Sequence, residues 1–485
     1  MSAEHPQASG AALSKGAEVD LAIEKLAFGG KALGRVDGFV VFVDHAVPGQ
    51  KVRVQITRKK SQFAEARVVQ VLEQSPAYAA PFCPHFGLCG GCQWQDVAYA
   101  EQLYWKRLHV QECLRHLAGL SPGDILPPVA SPQRYYRNKM EFTFAPQAWH
   151  STGDQAVGRT SHHGGCALGL HVGASFDQIF NLEHCFLQSL QAPAIVQEVR
   201  SLCGKSGLSA YNTRTQRGFW RFLVVREGKN TGQTLVHLIT TDQGKPAVVE
   251  TLATLLVAAF PGITSVVHSR SQKKAQLAYG EASRTLYGPG YIEEQINDLR
   301  LRVSAQAFLQ TNTAAAAGLY DAIRRLGEFT GQETVWDLYC GAGAIALSLA
   351  PHVARVVGFE LIETAVHDAY LNSRLNGIEN CQFLAGDLKE RLRETHRDIP
   401  GQPGPDVVIT DPPRAGMHPQ VVQTLLALAP PRLIYVSCNP ATLARDLALL
   451  QEHYDILSIQ PFDLFPQTSH IECLAHLTRR HPVPA

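Results

Sequence analysis

The rhythm of hydrophobic and polar positions changes three times along the chain. Within residues 15–75, short alternating runs at 19–23, 39–43, 51–57 and 66–72 are separated by Gly29-Gly30, Gly34, Asp37-Gly38 and Pro48-Gly49. Period-two runs between turn residues predict short strands, and their even spacing predicts a small OB-like β-barrel. A helix is predicted over 98–117, where Leu103, Leu108 and Leu114 recur at helical spacing and could pack on the last domain. Mixed strands follow, so residues 76–303 read as a central α+β domain. From Thr334 strand and helix alternate, which predicts a parallel sheet covered on both faces and a Rossmann-like domain over 304–485. Residues 1–14 read as a flexible tail. The expected fold class is multidomain α/β.

The chain has 485 residues, too many for one core, and its 45% hydrophobic and 18% charged residues are ordinary for a globular protein. A formal net charge of +1 gives no global basic field, so any nucleic-acid surface must be local. Residues 1–19 are Ala/Ser/Gly-rich and lack the apolar core of a secretion signal, and apolar runs such as 252–260 are too short to span a bilayer. A cytoplasmic monomer without membrane contact is the expectation. Eleven cysteines then point to reduced thiols, metal ligands or catalysis rather than disulfides.

The chemistry gathers at predicted strand ends, where open α/β sheets place it. The apolar run Leu433-Ile434-Tyr435-Val436 leads into Ser437-Cys438-Asn439-Pro440, so a thiol stands between a strand and a forced turn. The run 407–410 ends likewise, in Asp411-Pro412-Pro413-Arg414. A third strand, 333–338, is followed by Tyr339-Cys340-Gly341-Ala342-Gly343 and an apolar helix. The two glycines permit a tight turn and close approach of a ligand to the helix N-terminus. Glu360 closes the next strand, at the spacing of a ribose-binding acid, and Asp387 after the following strand could accept from an exocyclic amine. The missing third glycine and the acid Asp337 favour S-adenosylmethionine over NAD.

A thiolate beside a methyl donor has a specific use. Uracil C5 becomes nucleophilic once something adds to C6, and β-elimination can later release that group. Cys438 is the candidate nucleophile. Glu472, in Ser469-His470-Ile471-Glu472-Cys473, is the candidate base for the C5 proton, and Asp411 can accept from pyrimidine N3–H. Elsewhere, Cys83-x5-Cys89-x2-Cys92 has ligand-loop spacing, with Cys166 in Gly164-Gly165-Cys166 as the expected fourth thiolate; zinc and [4Fe-4S] both accept such a set. Residues 51–67 hold six basic side chains against one acidic, as does a surface that tracks phosphates. Basic-aromatic clusters at 134–139 and 214–226 suit unstacked bases or, equally, amphipathic strands.

Together with Phe308-Leu309-Gln310-Thr311-Asn312, these motifs resemble the RNA uracil-C5 methyltransferase family over nearly the whole chain. The resemblance implies an N-terminal TRAM domain, a central RNA-binding domain and a C-terminal methyltransferase domain. It implies Cys438 as nucleophile, Glu472 as base, and Gln310, Tyr339, Gly341, Glu360, Asp387 and Asp411 as cofactor or base contacts. The ribosomal-RNA branch has the three-plus-one cysteine pattern and holds a [4Fe-4S] cluster, which the tRNA branch generally lacks together with the barrel. The expectation is therefore S-adenosylmethionine-dependent formation of 5-methyluridine in 23S ribosomal RNA. A tRNA-directed enzyme and a non-catalytic Fe-S RNA-binding protein are the alternatives.

Overall fold

A computed structural model describes residues 13–120, 125–149, 166–173, 175–397 and 404–480. Strands β1 (Glu18–Leu26), β2 (Ala32–Val36), β3 (Phe39–Asp44), β4 (Lys51–Lys59) and β5 (Phe63–Glu73) close into a barrel in the order β1-β2-β3-β5-β4. Alternation drives it: Val52, Val54 and Ile56 of β4 point inward, while Arg53 points out to Asp20 at 2.8 Å. Strand β2 escaped the sequence reading because Ala32, Leu33 and Gly34 are buried in succession. Gly34 has no room for a side chain, since a Cβ would stand 2.3 Å from the Ala22 carbonyl oxygen. Leu13, assigned to the tail, is buried in the barrel core, so the folded barrel begins there; residues 1–12 lie outside the described residues.

Helix α1 (Tyr99–Cys113) and a further turn to Ala118 follow. The leucine spacing located this helix but not its buried side, which carries Gln102, Trp105, Lys106, His109 and Val110. Polar side chains can be buried there because each finds a partner. Gln102 Nε2 donates to the carbonyls of Trp94 and Val97, Lys106 Nζ lies 2.6 Å from Asp463, and a His109 ring nitrogen lies 2.8 Å from the Leu26 carbonyl. Trp105 belongs to the barrel core, and Val110 and Leu114 to the core of the C-terminal sheet. The helix thus joins the two.

The central sheet comprises β6 (Lys139–Ala145), β7 (Ala167–His171), β8 (Ile179–Asn181), β9 (Trp220–Glu227), β10 (Thr234–Thr240), β11 (Ile263–Arg270) and β12 (Ala282–Tyr287), ordered β12-β11-β10-β9-β6-β7-β8. Helices α2 (Gln191–Lys205) and α3 (Pro246–Ala259) pack on it. The strand half of the 214–226 cluster is core rather than nucleic-acid surface. Trp220, Phe222, Arg221 and Arg226 are buried, the two guanidinium groups donating to the carbonyls of Ser271 and Ala307. The hairpin β13 (Tyr291–Ile296) and β14 (Leu299–Ser304) shares a core with the C-terminal domain, so the boundary at residue 303 cuts through a packed unit.

The C-terminal sheet contains β15 (Thr334–Leu338), β16 (Arg355–Glu360), β17 (Cys381–Ala385), β18 (Val407–Thr410), β19 (Arg432–Ser437), β20 (Tyr454–Phe462) and β21 (Glu472–Arg479), ordered β17-β16-β15-β18-β19-β21-β20. Helices α4 (Thr313–Gly327), α5 (Ala344–Leu349), α6 (Glu363–Leu375), α7 (Leu388–Arg397), α8 (Pro419–Leu428) and α9 (Pro440–Leu450) accompany it. The strands from β15 to β19 are parallel and nearly all apolar, as strands covered on both faces must be. Strand β21 runs antiparallel to β19, pairing Cys473 with Ser437. A strand that starts where its neighbour ends brings Glu472 beside Cys438. Among the described residues, no helix is long and apolar enough to cross a membrane.

Candidate active site

The carboxyl ends of β15, β16, β18 and β19 lie on one edge of the sheet about the point where strand order reverses, the usual ligand site of an open α/β sheet. After β15 the chain turns through Tyr339, Gly341 and Gly343, with φ of 64°, 54° and 83°. A Cβ on Gly341 would meet nothing within 4 Å, which leaves the approach to α5 open for a ligand. Glu360 holds this turn, accepting from Gly341 N at 3.1 Å and Ile362 N at 2.9 Å. Asp337, 1% exposed, accepts from Ala346 N at 3.0 Å, and its Oδ1 has no partner among the described residues. A cavity of about 560 Å³ is lined by Gly341, Glu360, Ile362 and Asp368 from this domain and by Gly280 and Ser283 from the central one. An open glycine turn, a carboxylate at the next strand end and an interdomain cavity fit the nucleoside part of S-adenosylmethionine.

Asp387 stands differently. It is partly exposed, and the Lys389 backbone N–H, followed by the Lys389 ammonium at 3.0 Å, holds its carboxyl below the usual range.

Cys438 follows β19 and lines a cavity of about 230 Å³ with Arg414, Asn439, Ser469 and His470. Asn439 caps α9 by accepting from Ala441 N and donates to the Arg414 carbonyl at 3.1 Å, so the cap that starts the helix also fixes the neighbouring loop. Burial, then the Glu472 charge, pushes the thiol up to about 11, while Arg414 pulls it down. Glu472 is 2% exposed, its carboxyl raised by burial and by Asp411, and its Oε1 has no partner among the described residues. Burial raises Asp411 too, against a 3.1 Å hydrogen bond from Gln310 Nε2. A buried carboxyl, Glu472, and a half-buried one, Asp411, thus act on the thiol together with the Arg414 guanidinium. Arg414 Nη2 also lies 3.3 Å from the His470 ring, and burial followed by that cation lowers His470 to about 4, so the imidazole is neutral.

The structure therefore brings together Cys438, Glu472, Asp411 and Gln310, with Tyr339, Gly341 and Glu360 at adjoining strand ends. Arg414 joins them although its motif carries no role for it in the sequence; its cationic charge beside an Asp-Pro-Pro strand end is the available signal. Phe28, Gly29 and Gln93, which also line the thiol cavity, carry no local signal, because only tertiary packing brings them there.

The neighbour of the three loop cysteines is Cys185 rather than the expected Cys166. Cys83, Cys89 and Cys92 stand within electrostatic reach of Cys185, whereas Cys166 neighbours Arg200 and Cys203; both Cys166 and Cys185 are buried in the central core. A Gly-Gly-Cys context suggested a ligand loop, but Cys166 directly precedes β7 and packs inward. His184 and Phe186 around Cys185 gave no comparable turn signal. Burial pushes Cys89 up to about 11 and Cys92 to about 12. Among the described residues, no three His, Cys, Asp or Glu side chains stand close enough to hold a metal as they are. By chemistry alone, three half-buried thiols and the buried Cys185 are donors of the kind that thiolate-bound metals and clusters use.

Comparison with known proteins agrees with this geometry. Residues 13–69 match the TRAM domain, and residues 277–480 match tRNA (Uracil-5-)-methyltransferase. An RNA methyltransferase of Nitratidesulfovibrio vulgaris is 40% identical over 96% of this chain and 97% of its own, and one of Bacteroides thetaiotaomicron is 38% identical over 93% and 99%. The tRNA (uracil-54, C5)-methyltransferase of Pyrococcus abyssi, solved with S-adenosyl-L-homocysteine, superposes with a TM-score of 0.73 at 26% identity, over 95% of this chain and 99% of its own. Fold and cleft define an S-adenosylmethionine-dependent RNA methyltransferase. The chain belongs to the RNA uracil-C5 methyltransferase family. The Pyrococcus match leaves too little of this chain uncovered to omit the barrel, so a barrel does not by itself separate ribosomal-RNA from tRNA enzymes.

Proposed function

We propose that this protein methylates C5 of a uridine in 23S ribosomal RNA, giving 5-methyluridine through a covalent adduct on Cys438. The supporting observation is the meeting of one thiol with the buried Glu472 and half-buried Asp411 carboxyls at the end of a methyltransferase sheet. S-adenosylmethionine, when bound, supplies an electrophilic methyl group. The Cys438 thiolate adds to C6, opening the C5=C6 bond and placing an electron pair at C5, which takes up the methyl group. Glu472 then removes the C5 proton as the Cys438–C6 bond breaks, restoring both double bond and thiolate. Burial makes this carboxylate a stronger base than a solvated one. Asp411 accepts from N3–H, and Arg414 offsets the negative charge that gathers around the sulfur. Gln310, Tyr339, Gly341 and Glu360 contact the methyl donor or base, and Asp387 serves the adenine edge once released from Lys389.

Cys83, Cys89, Cys92 and Cys185 would hold a [4Fe-4S] cluster that braces the RNA-binding surface, and the four-cysteine pattern is what favours ribosomal RNA. A tRNA substrate is the second reading, favoured by the solved Pyrococcus relative. Mapping 5-methyluridine in ribosomal and transfer RNA from cells lacking the protein decides between them. For the chemistry, Cys438→Ala should still bind RNA and S-adenosylmethionine yet give no denaturation-stable complex with 5-fluorouridine RNA. A persistent adduct would remove Cys438 from its role.

A further inference from the structure

The cavity above Cys438 is walled on one side by the N-terminal barrel. Phe28 and Gly29 of the β1–β2 turn line it together with Gln93, Arg414 and Cys438. Phe28 is 52% exposed. Scattered exposed apolar side chains are common, but this one borders the cavity that holds the reactive thiol. The turn beneath it is braced from three sides. Trp94 Nε1 donates to the Gly30 carbonyl at 2.9 Å, a His109 ring nitrogen lies 2.8 Å from the Leu26 carbonyl, and the His109 and Phe28 rings meet edge to face at 6.0 Å. Gly29 and Gly30 have φ of 99° and 102°, and a Cβ on Gly30 would stand 2.7 Å from the Gln93 side chain. Gln93 in turn accepts from Ser469 N and Oγ, at 3.2 and 2.9 Å, one residue from His470. The barrel turn, the cysteine loop and the loop leading to Glu472 are therefore one connected wall.

We propose that Phe28 is a stacking platform for the nucleobase next to the target uridine. This rests on the RNA-methylation reading above. A half-exposed aromatic ring and a guanidinium lining one cavity suit RNA whose target base has turned into it: the ring receives the neighbouring base, and Arg414 meets the charge. The ring is held in place before RNA arrives, so stacking costs little ordering.

The test is steady-state methylation by the full-length protein of 23S ribosomal RNA and tRNA transcripts, with the S-adenosylmethionine KM and melting temperature measured alongside. Base-on-ring stacking predicts that Phe28→Ala raises the KM for RNA by about 5-fold to about 150-fold. The kcat, the KM for S-adenosylmethionine and the melting temperature should stay unchanged, and Phe28→Trp should restore RNA binding while Phe28→Leu does not. An unaltered RNA KM in Phe28→Ala, recovery by Leu equal to that by Trp, or a lowered melting temperature would overturn the proposal. If the unsubstituted protein methylates neither RNA, the functional reading falls first; if it methylates one and Phe28→Ala matches it, only the stacking role falls.

Discussion

Glu472→Gln separates the two halves of the proposed reaction. The carboxylate acts on Cys438 in opposite senses: its charge is the second cause, after burial, that raises the thiol, yet proton removal from C5 needs it. Replacing it by an isosteric neutral amide removes the charge, so addition to C6 should proceed at least as fast as in the native enzyme. Release should fail, because losing a general base costs about 10²–10⁴-fold. The variant should accumulate a methylated RNA–protein adduct on ordinary uridine, one per active site, visible as a burst of label from methyl-labelled S-adenosylmethionine that co-migrates with protein under denaturing conditions. Stability supplies a second readout. A carboxyl whose folded pKa is raised favours the folded state while protonated, an advantage complete below its ordinary value of 4.5 and lost as pH climbs through the folded value. The Gln variant, permanently neutral, should therefore melt above the native enzyme in alkaline buffer, and the gap should close on acidification below 4.5. Native turnover by Glu472→Gln, or a folded variant that forms no adduct, would refute the assignment.

Two further outcomes follow from residues away from the cleft. Cys185→Ser should lower bound iron and acid-labile sulfide in anaerobically purified protein as far as Cys92→Ser does, while Cys166→Ser should leave both unchanged; elemental analysis checks this. Lys106→Met strands Asp463 in a site where both partners are fully buried, so urea unfolding should show a loss of about 3–5 kcal/mol.

The catalytic sheet was legible in the sequence because its strands are continuous apolar runs that stop at chemically distinctive residues. Thr410 and Ser437 close their strands where Asp411 and Cys438 begin the functional turns. Period-two alternation likewise gave four barrel strands. It missed β2, where a glycine sits under a neighbouring backbone; the basic-aromatic cluster at 214–226 left a base-binding surface and a strand open, and in β9 its arginines are buried on carbonyl oxygens instead of facing phosphates. Local context also chose Cys166 over Cys185, because a turn signature describes backbone freedom and not where a sulfur points. The remaining gaps concern long-range packing: Phe28, Gln93 and Arg414 meet around one thiol from three distant parts of the chain, and no local spacing encodes that.

Helix α1, set between barrel and sheet, has a consequence for substrate choice. With Trp105 in one core, Val110 in the other and a buried lysine tying it to Asp463, the barrel is not a tethered accessory that swings on a linker. It is held at a fixed offset from residue 438, so the two together act as a ruler. Under the proposed reaction, RNAs whose folded shape presents a backbone stretch and an extrudable pyrimidine at that separation should be the preferred substrates, and lengthening the connection should blur this selection even if both parts remain folded.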